Sequence, residues 1–158
     1  MRILGVDPGI AVTGYALIDI GDRGTSPIDY GFVETDRKAD FSMRLKRIHD
    51  ELIRVIEQYH PNSLALEQVF YSRNVQVALK LGHARGVVLL AAVSHGLEII
   101  EYAPREIKQS VTGNGAASKH QVQRMVQQLL GLRELPEPND VSDAMAAALC
   151  HSFRFRLK

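Results

Sequence analysis

Residues 2–6 are apolar almost throughout, and Asp7, Pro8 and Gly9 close the run, so the chain opens with a buried strand. Residues 13–20 alternate sides like a second strand, and a third, residues 28–35, follows the turn residues Gly21, Asp22, Gly24, Ser26 and Pro27. Three strands joined by short connections predict an antiparallel meander. From Ser42 the period becomes helical: Leu45, Ile48, Leu52, Ile53 and Ile56 share one face, and the helix ends before Pro61. Residues 63–69 are the next strand. A helix of this length between two strands predicts a right-handed parallel crossover, which pairs this fourth strand with one of the meander.

Residues 74–94 form a long helix that is apolar around most of its circumference, with Ala78, Gly82 and Gly86 spaced four apart. Such a helix is expected to be buried on more than one side. A fifth strand at 97–102, a short helix at 104–111 and a glycine-bearing loop at 112–117 follow. Two further helices, 118–130 and 140 to about 153, are separated by the proline-rich stretch 135–139. The order predicts an α/β fold, a mixed five-stranded sheet flanked by helices, in one domain spanning residues 1–158.

Composition narrows this picture in a few respects. At 158 residues and 46% hydrophobic content the chain has enough apolar material for one core. The longest uninterrupted apolar run, residues 87–93, is far below the roughly 20 residues that cross a bilayer, and no signal segment opens the chain. A soluble, cytoplasmic protein without a membrane partner is expected. The single cysteine, Cys150, excludes an internal disulfide framework and a multi-thiolate zinc site, and reads as a buried small apolar residue. A net charge of +1 leaves the partner open. The six histidines show no metal-ligand spacing.

The chemistry lies in carboxylates. Asp7 closes an apolar strand and Glu67 ends another, where unpartnered carboxylates would protonate or destabilise the fold. If those strands are parallel neighbours, the two groups lie side by side. Asp140 and Asp143, three apart at the start of the last helix, share a face and can converge with them, although acidic residues also favour helix N-termini through the dipole. Four carboxylates without imidazole or thiolate partners suit Mg²⁺ or Mn²⁺ rather than zinc. The reaction that needs such a site is phosphoryl transfer, in which two ions roughly 4 Å apart activate a water and stabilise the leaving oxygen.

The stretches GVDPGIAVTGYALID (5–19), ALEQVF (65–70), ALKLGHARG (78–86) and DVSDAMAAAL (140–149) resemble, in order and spacing, the RuvC family of endonucleases that cut four-way (Holliday) junctions in recombination and repair. The resemblance covers nearly the whole chain and implies a ribonuclease-H-like fold. It also implies that Asp7, Glu67, Asp140 and Asp143 are the catalytic, metal-binding quartet, holding two Mg²⁺ ions for which Mn²⁺ can substitute. Some relatives carry histidine at the third position, so Asp140 is expected as a direct ligand or as the base near the water.

Phe70 matches the family's stacking aromatic, and Tyr71 beside it, with Arg73 and Asn74, is placed to meet bases or phosphates. Lys108 and Lys119 align with basic residues used near the cleaved strand. Lys119 follows Ser118, which with Gln121 also makes a capping box. Arg73, Lys80, Arg85, Arg105, Lys108, Lys119 and Arg124 are expected on one basic face. Because a four-way junction is two-fold symmetric and needs two matching cuts, a homodimer is expected, with the 74–94 helix as its interface unless the final two helices cover that face. A branch-migration helicase is a further partner that the resemblance suggests. The rival readings are a nuclease of the same fold that cuts RNA in a hybrid duplex, and a nucleotide-binding module like those of actin or sugar kinases, suggested by Asp7-Pro8-Gly9 before a strand.

Overall fold

A computed structural model describes residues 1–22, 24–68 and 74–156. Its elements are β1 (Arg2–Asp7), β2 (Val12–Gly21), β3 (Gly24–Glu34), α1 (Phe41–Tyr59), β4 (Ser63–Glu67), α2 (Val75–Ser94), β5 (Glu98–Tyr102), α3 (Pro104–Thr112), α4 (Lys119–Leu130) and α5 (Asn139–Arg156). The five strands form one sheet of order β3-β2-β1-β4-β5. β1, β2 and β3 pair antiparallel, whereas β4 runs parallel to β1 and β5 parallel to β4. This is the mixed sheet expected from the order of elements, with α1 making the crossover.

One expected boundary moves. Gly24, Ser26 and Pro27 are not turn residues but strand, because β2 and β3 continue as a long hairpin to Gly21 and Gly24. Two features reconcile this with the proline: the register slips between Leu17 and Ile18, and β3 is the sheet's edge, where an imino acid need not donate to a ladder.

Period-two alternation divides the core into two layers. Leu4, Val6, Leu17, Leu64 and Leu66 pack under α1 and α2; Ile3, Ala16, Ile18 and Ala65 pack under α3, α4 and α5. Asp7 is in step with Ile3, and Glu67 with Ala65, so both carboxylates emerge on the α5 face. Cys150 is buried in that layer, as expected.

α2 departs from expectation. Ala84, Val88, Ala91 and Ala92 are buried, but Val75, Val77, Leu79, Leu90 and Val93 stand exposed. The final two helices lie across the sheet and leave this face open. With 20 residues and a mean hydropathy of 1.4, α2 is long and apolar enough to cross a bilayer, although its apolar residues form no uninterrupted run of that length. Its buried row packs with α1 as a core helix does.

Candidate active site

Two glycines bring α5 onto the sheet. A Cβ on Gly5 would lie 2.1 Å from the Ala144 carbonyl oxygen, and one on Gly14 would lie 2.1 Å from that of Asp140. Only a bare backbone permits this approach. Gly14 is paired with Asp7 across β1 and β2, so the first turn of α5 is set directly beside Asp7. Parallel pairing of Gly5 with Ala65 and Val6 with Leu66 carries Glu67 alongside Asp7 on the other flank. Asp140 and Asp143 then face the two strand-end carboxylates from α5.

The turn after Asp7 is held from outside the site. Thr13 Oγ1 donates to the Gly9 carbonyl at 2.7 Å and accepts from its amide at 3.2 Å. Arg44 of α1 donates to the Ile10 carbonyl at 3.0 Å and to Thr35 Oγ1 at 2.9 Å. At Glu67 the support is Arg85 of α2, whose guanidinium donates to the Glu67 carbonyl at 2.8 Å and meets the Glu101 carboxylate at 2.7 Å.

The carboxylates feel one another. Burial, then the charges of Asp143, Asp140 and Glu67, push the Asp7 carboxyl up to about 7. Burial and then Asp143 raise Glu67, with Lys119 and Lys108 opposing. Asp143 is also raised, by burial first, although Lys119 Nζ lies 3.4 Å from its Oδ2. That contact in turn raises the Lys119 ammonium. Lys108, Lys119, Glu67 and Asp143 line one cleft of about 180 Å³ with Pro104, Ile107, Val122 and Ala146. Here is a dense negative charge, half-buried and only partly offset by two lysines.

Among the described residues no three carboxylate, imidazole or thiol side chains are drawn together tightly enough to grip an ion as they stand. Asp143, Asp140 and Glu67 all lie within electrostatic range of Asp7. The donors present fit a hard divalent cation: all are carboxylate oxygens, and the raised proton affinity of Asp7, Glu67 and Asp143 is what a cation would relieve.

The structure thus brings together Asp7, Glu67, Asp140, Asp143, Lys108 and Lys119. Phe70, Tyr71 and Arg73 lie outside the described residues. Asn74 caps α2, its side chain accepting from the Val77 amide at 3.2 Å. The single basic face is corrected. Arg85 is 12% exposed and turned inward to Glu67 and Glu101, and Lys80 sits on exposed α2, whereas Lys108 and Lys119 flank the carboxylates. His151 is a buried polar residue whose Nδ1 lies 2.6 Å from the Tyr102 hydroxyl. What sequence reasoning missed are Gly5 and Gly14, and the inward role of Arg85, which was expected on the basic face. The only trace of the two was a glycine inside an apolar strand and another inside an alternating one.

Strand order, the parallel β1–β4 centre and carboxylates under the following helix define a ribonuclease-H-like protein with an acidic site of the nuclease type. More particularly, the chain belongs to the RuvC family: the model of that family, described as crossover junction endodeoxyribonuclease RuvC, matches residues 3–151. A crossover junction endodeoxyribonuclease RuvC of Halothermothrix orenii is 48% identical over 157 residues, 99% of this chain and 95% of the relative. Thermus thermophilus RuvC, solved in complex with a Holliday junction substrate, is 35% identical and superposes with a TM-score of 0.93, covering 99% of this chain and 96% of that one. The yeast mitochondrial Holliday junction resolvase Ydc2, at 11% identity and a TM-score of 0.67 over 98% of this chain and 81% of its own, shares the fold.

Proposed function

We propose that this protein resolves four-way DNA junctions by paired, metal-dependent phosphodiester hydrolysis, in the cytoplasm and as a homodimer. The observation that carries the reading is the convergence of Glu67, Asp140 and Asp143 on Asp7, each within electrostatic range of it, with Lys119 on Asp143. Membership of the RuvC family, one relative of which was captured on a Holliday junction, supplies the substrate.

In this reading the four carboxylates hold two Mg²⁺ ions, with Mn²⁺ as a substitute. Bound there, the ions supply an activated water on one side of the phosphodiester and charge stabilisation for the leaving 3′ oxygen on the other. Asp7 and Glu67 are fixed by sheet pairing and do the holding. Asp140, half-buried in the first turn of α5, completes the set as ligand or takes the proton of the attacking water. Lys108 and Lys119 face the cleft and meet the negative charge that develops on the phosphate. Phe70, Tyr71, Arg73 and Asn74 lie between β4 and α2 in the sequence and are assigned to the DNA, Phe70 by stacking on an unpaired base.

The dimer reading rests on α2. Its outward face joins Leu79, Leu90 and the bare backbone at Gly82 and Gly86, where an added Cβ would meet nothing within 4 Å. With Leu45 and Ala78 these residues line an apolar groove of about 510 Å³. A second copy related by two-fold symmetry fits such a self-complementary strip, and a branch-migration helicase would then act on the same junction.

The test is cleavage of a synthetic four-way junction with Mg²⁺, mapping both nicks, beside an RNA-DNA hybrid of the same sequence. Symmetric paired nicks in the junction and an intact hybrid are expected. Absent or unpaired nicks sink the resolvase reading, and preferential hydrolysis of the hybrid transfers the site to the rival nuclease class.

A further inference from the structure

We infer that Arg85 is a positioning residue for the active site: from α2 it holds the end of β4, and with it the Glu67 carboxylate, in the geometry that binds metal. The inference rests on the nuclease reading above.

β1 and β4 pair as far as Val6 and Leu66, and beyond that point β1 leaves the ladder at the Asp7-Pro8-Gly9 turn. On its other side β4 stays paired, Glu67 with Tyr102, and the Gln68 amide donates to the Tyr102 carbonyl at 2.8 Å. The Glu67 carbonyl is where the parting of β1 and β4 falls, and a half-buried carbonyl there needs a donor. Arg85 supplies it at 2.8 Å. Its second nitrogen meets Glu101 at 2.7 Å, and only 12% of its side chain is exposed, so the guanidinium is fixed at two points.

The chemistry gives that anchor a role. Glu67 is the last residue of β4, so its backbone is constrained by the ladder on one side alone, and its side chain faces other carboxylates that repel it. Binding a metal requires these groups to draw together against that repulsion. A main chain held by a charged donor that is itself anchored on Glu101 keeps the carboxylate from swinging away. Arg85 itself lies behind β4 on α2 and is assigned no contact with DNA or metal.

Arg85→Gln and Arg85→Lys are compared with wild type for Mg²⁺ dependence of junction nicking, for Mn²⁺ binding by calorimetry without DNA, and for junction binding in Ca²⁺. Arg85→Gln is expected to raise the half-saturating Mg²⁺ concentration about tenfold, the low end of what losing an outer-shell support costs, with Mn²⁺ affinity falling in parallel. Junction binding in Ca²⁺ should stay within about twofold, and Arg85→Lys, which keeps the charge without the fork, should fall between. A folded Arg85→Gln with wild-type metal titrations overturns the inference, and so does a loss of nicking matched by a loss of junction binding with unchanged Mn²⁺ affinity. Should Arg85→Gln fail to fold, Arg85→Lys alone decides: an unshifted Mn²⁺ affinity overturns it. Wild-type protein that binds Mn²⁺ but nicks no junction marks failure of the substrate reading instead.

Discussion

Asp7 carries the largest electrostatic load in the molecule. An unfolded aspartate titrates near 3.8, the buried one near 7. Below about pH 4 the group is protonated in both states; between there and about 7 only the folded protein holds the proton; above that, folding buries a carboxylate among three others. Metal-free stability should therefore fall as pH rises from 4 to 7, with Asp7 alone contributing on the order of 4 kcal/mol. Calorimetric melting at pH 5 and pH 8, with and without Mg²⁺, checks this: the ion should stabilise more at pH 8. Asp7→Asn should raise the metal-free melting temperature at pH 8 by roughly 10 °C while lowering cleavage roughly a thousandfold or more. A metal-free protein more stable at pH 8 than at pH 5 contradicts the assignment. Asp7 and Glu67 were legible in the sequence because a carboxylate closing an apolar strand has no cheap structural explanation. Arg85 was not, since an arginine in a helix looks like surface until the carbonyl it serves is located in space.

Among the elements, the contact that makes the site is α5 on β1 and β2, and it depends on glycines rather than on the carboxylates themselves. A methyl group on Gly14 would overlap the Asp140 main chain, and one on Gly5 would overlap that of Ala144 as well as the Ala148 side chain. Backbone cannot yield there as a flexible side chain does. Gly14→Ala is expected to destabilise by roughly 3 kcal/mol in urea unfolding and to displace Asp140 and Asp143 from Asp7, so cleavage should fall even where folding survives. Unfolding and cleavage indistinguishable from wild type would show that α5 approaches the sheet differently. Helices and strands were legible as period changes, and the α1 crossover implied that β4 pairs parallel with a strand of the meander, which the structure shows to be β1. The length of the β2–β3 hairpin was not, because Gly24, Ser26 and Pro27 carry turn chemistry and only the edge position and the register slip at Leu17 and Ile18 make them strand. Nor were the glycines that let α5 close onto the sheet, because their contacts join residues more than a hundred positions apart.

At the scale of the whole molecule, what the single chain leaves unfinished is the outer face of α2, and a two-fold junction supplies a reason for it. The sequence already marked that helix as too apolar for one sheet face, but whether α4 and α5 covered it was a question of topology, and they lie across the sheet. A 20-residue helix is about 30 Å long, enough to seed an interface near the 800 Å² per partner of standard complexes. Leu79 and Leu90, 58% and 57% exposed, would be central to it. Replacing both with glutamate sets like charges across the two-fold axis and removes two apolar anchors, which should weaken self-association by at least about a hundredfold. Neither residue touches the carboxylate cleft, so each monomer should retain its metal site. Sedimentation should show a dimer for wild type and a monomer for Leu79→Glu/Leu90→Glu. On a plasmid-borne cruciform the variant should then release nicked circles where wild type releases linear product, because two independent cuts seldom fall within the life of one junction. Linear product from a monomeric variant would show that one chain can make both cuts, and the exposed face of α2 would need another occupant.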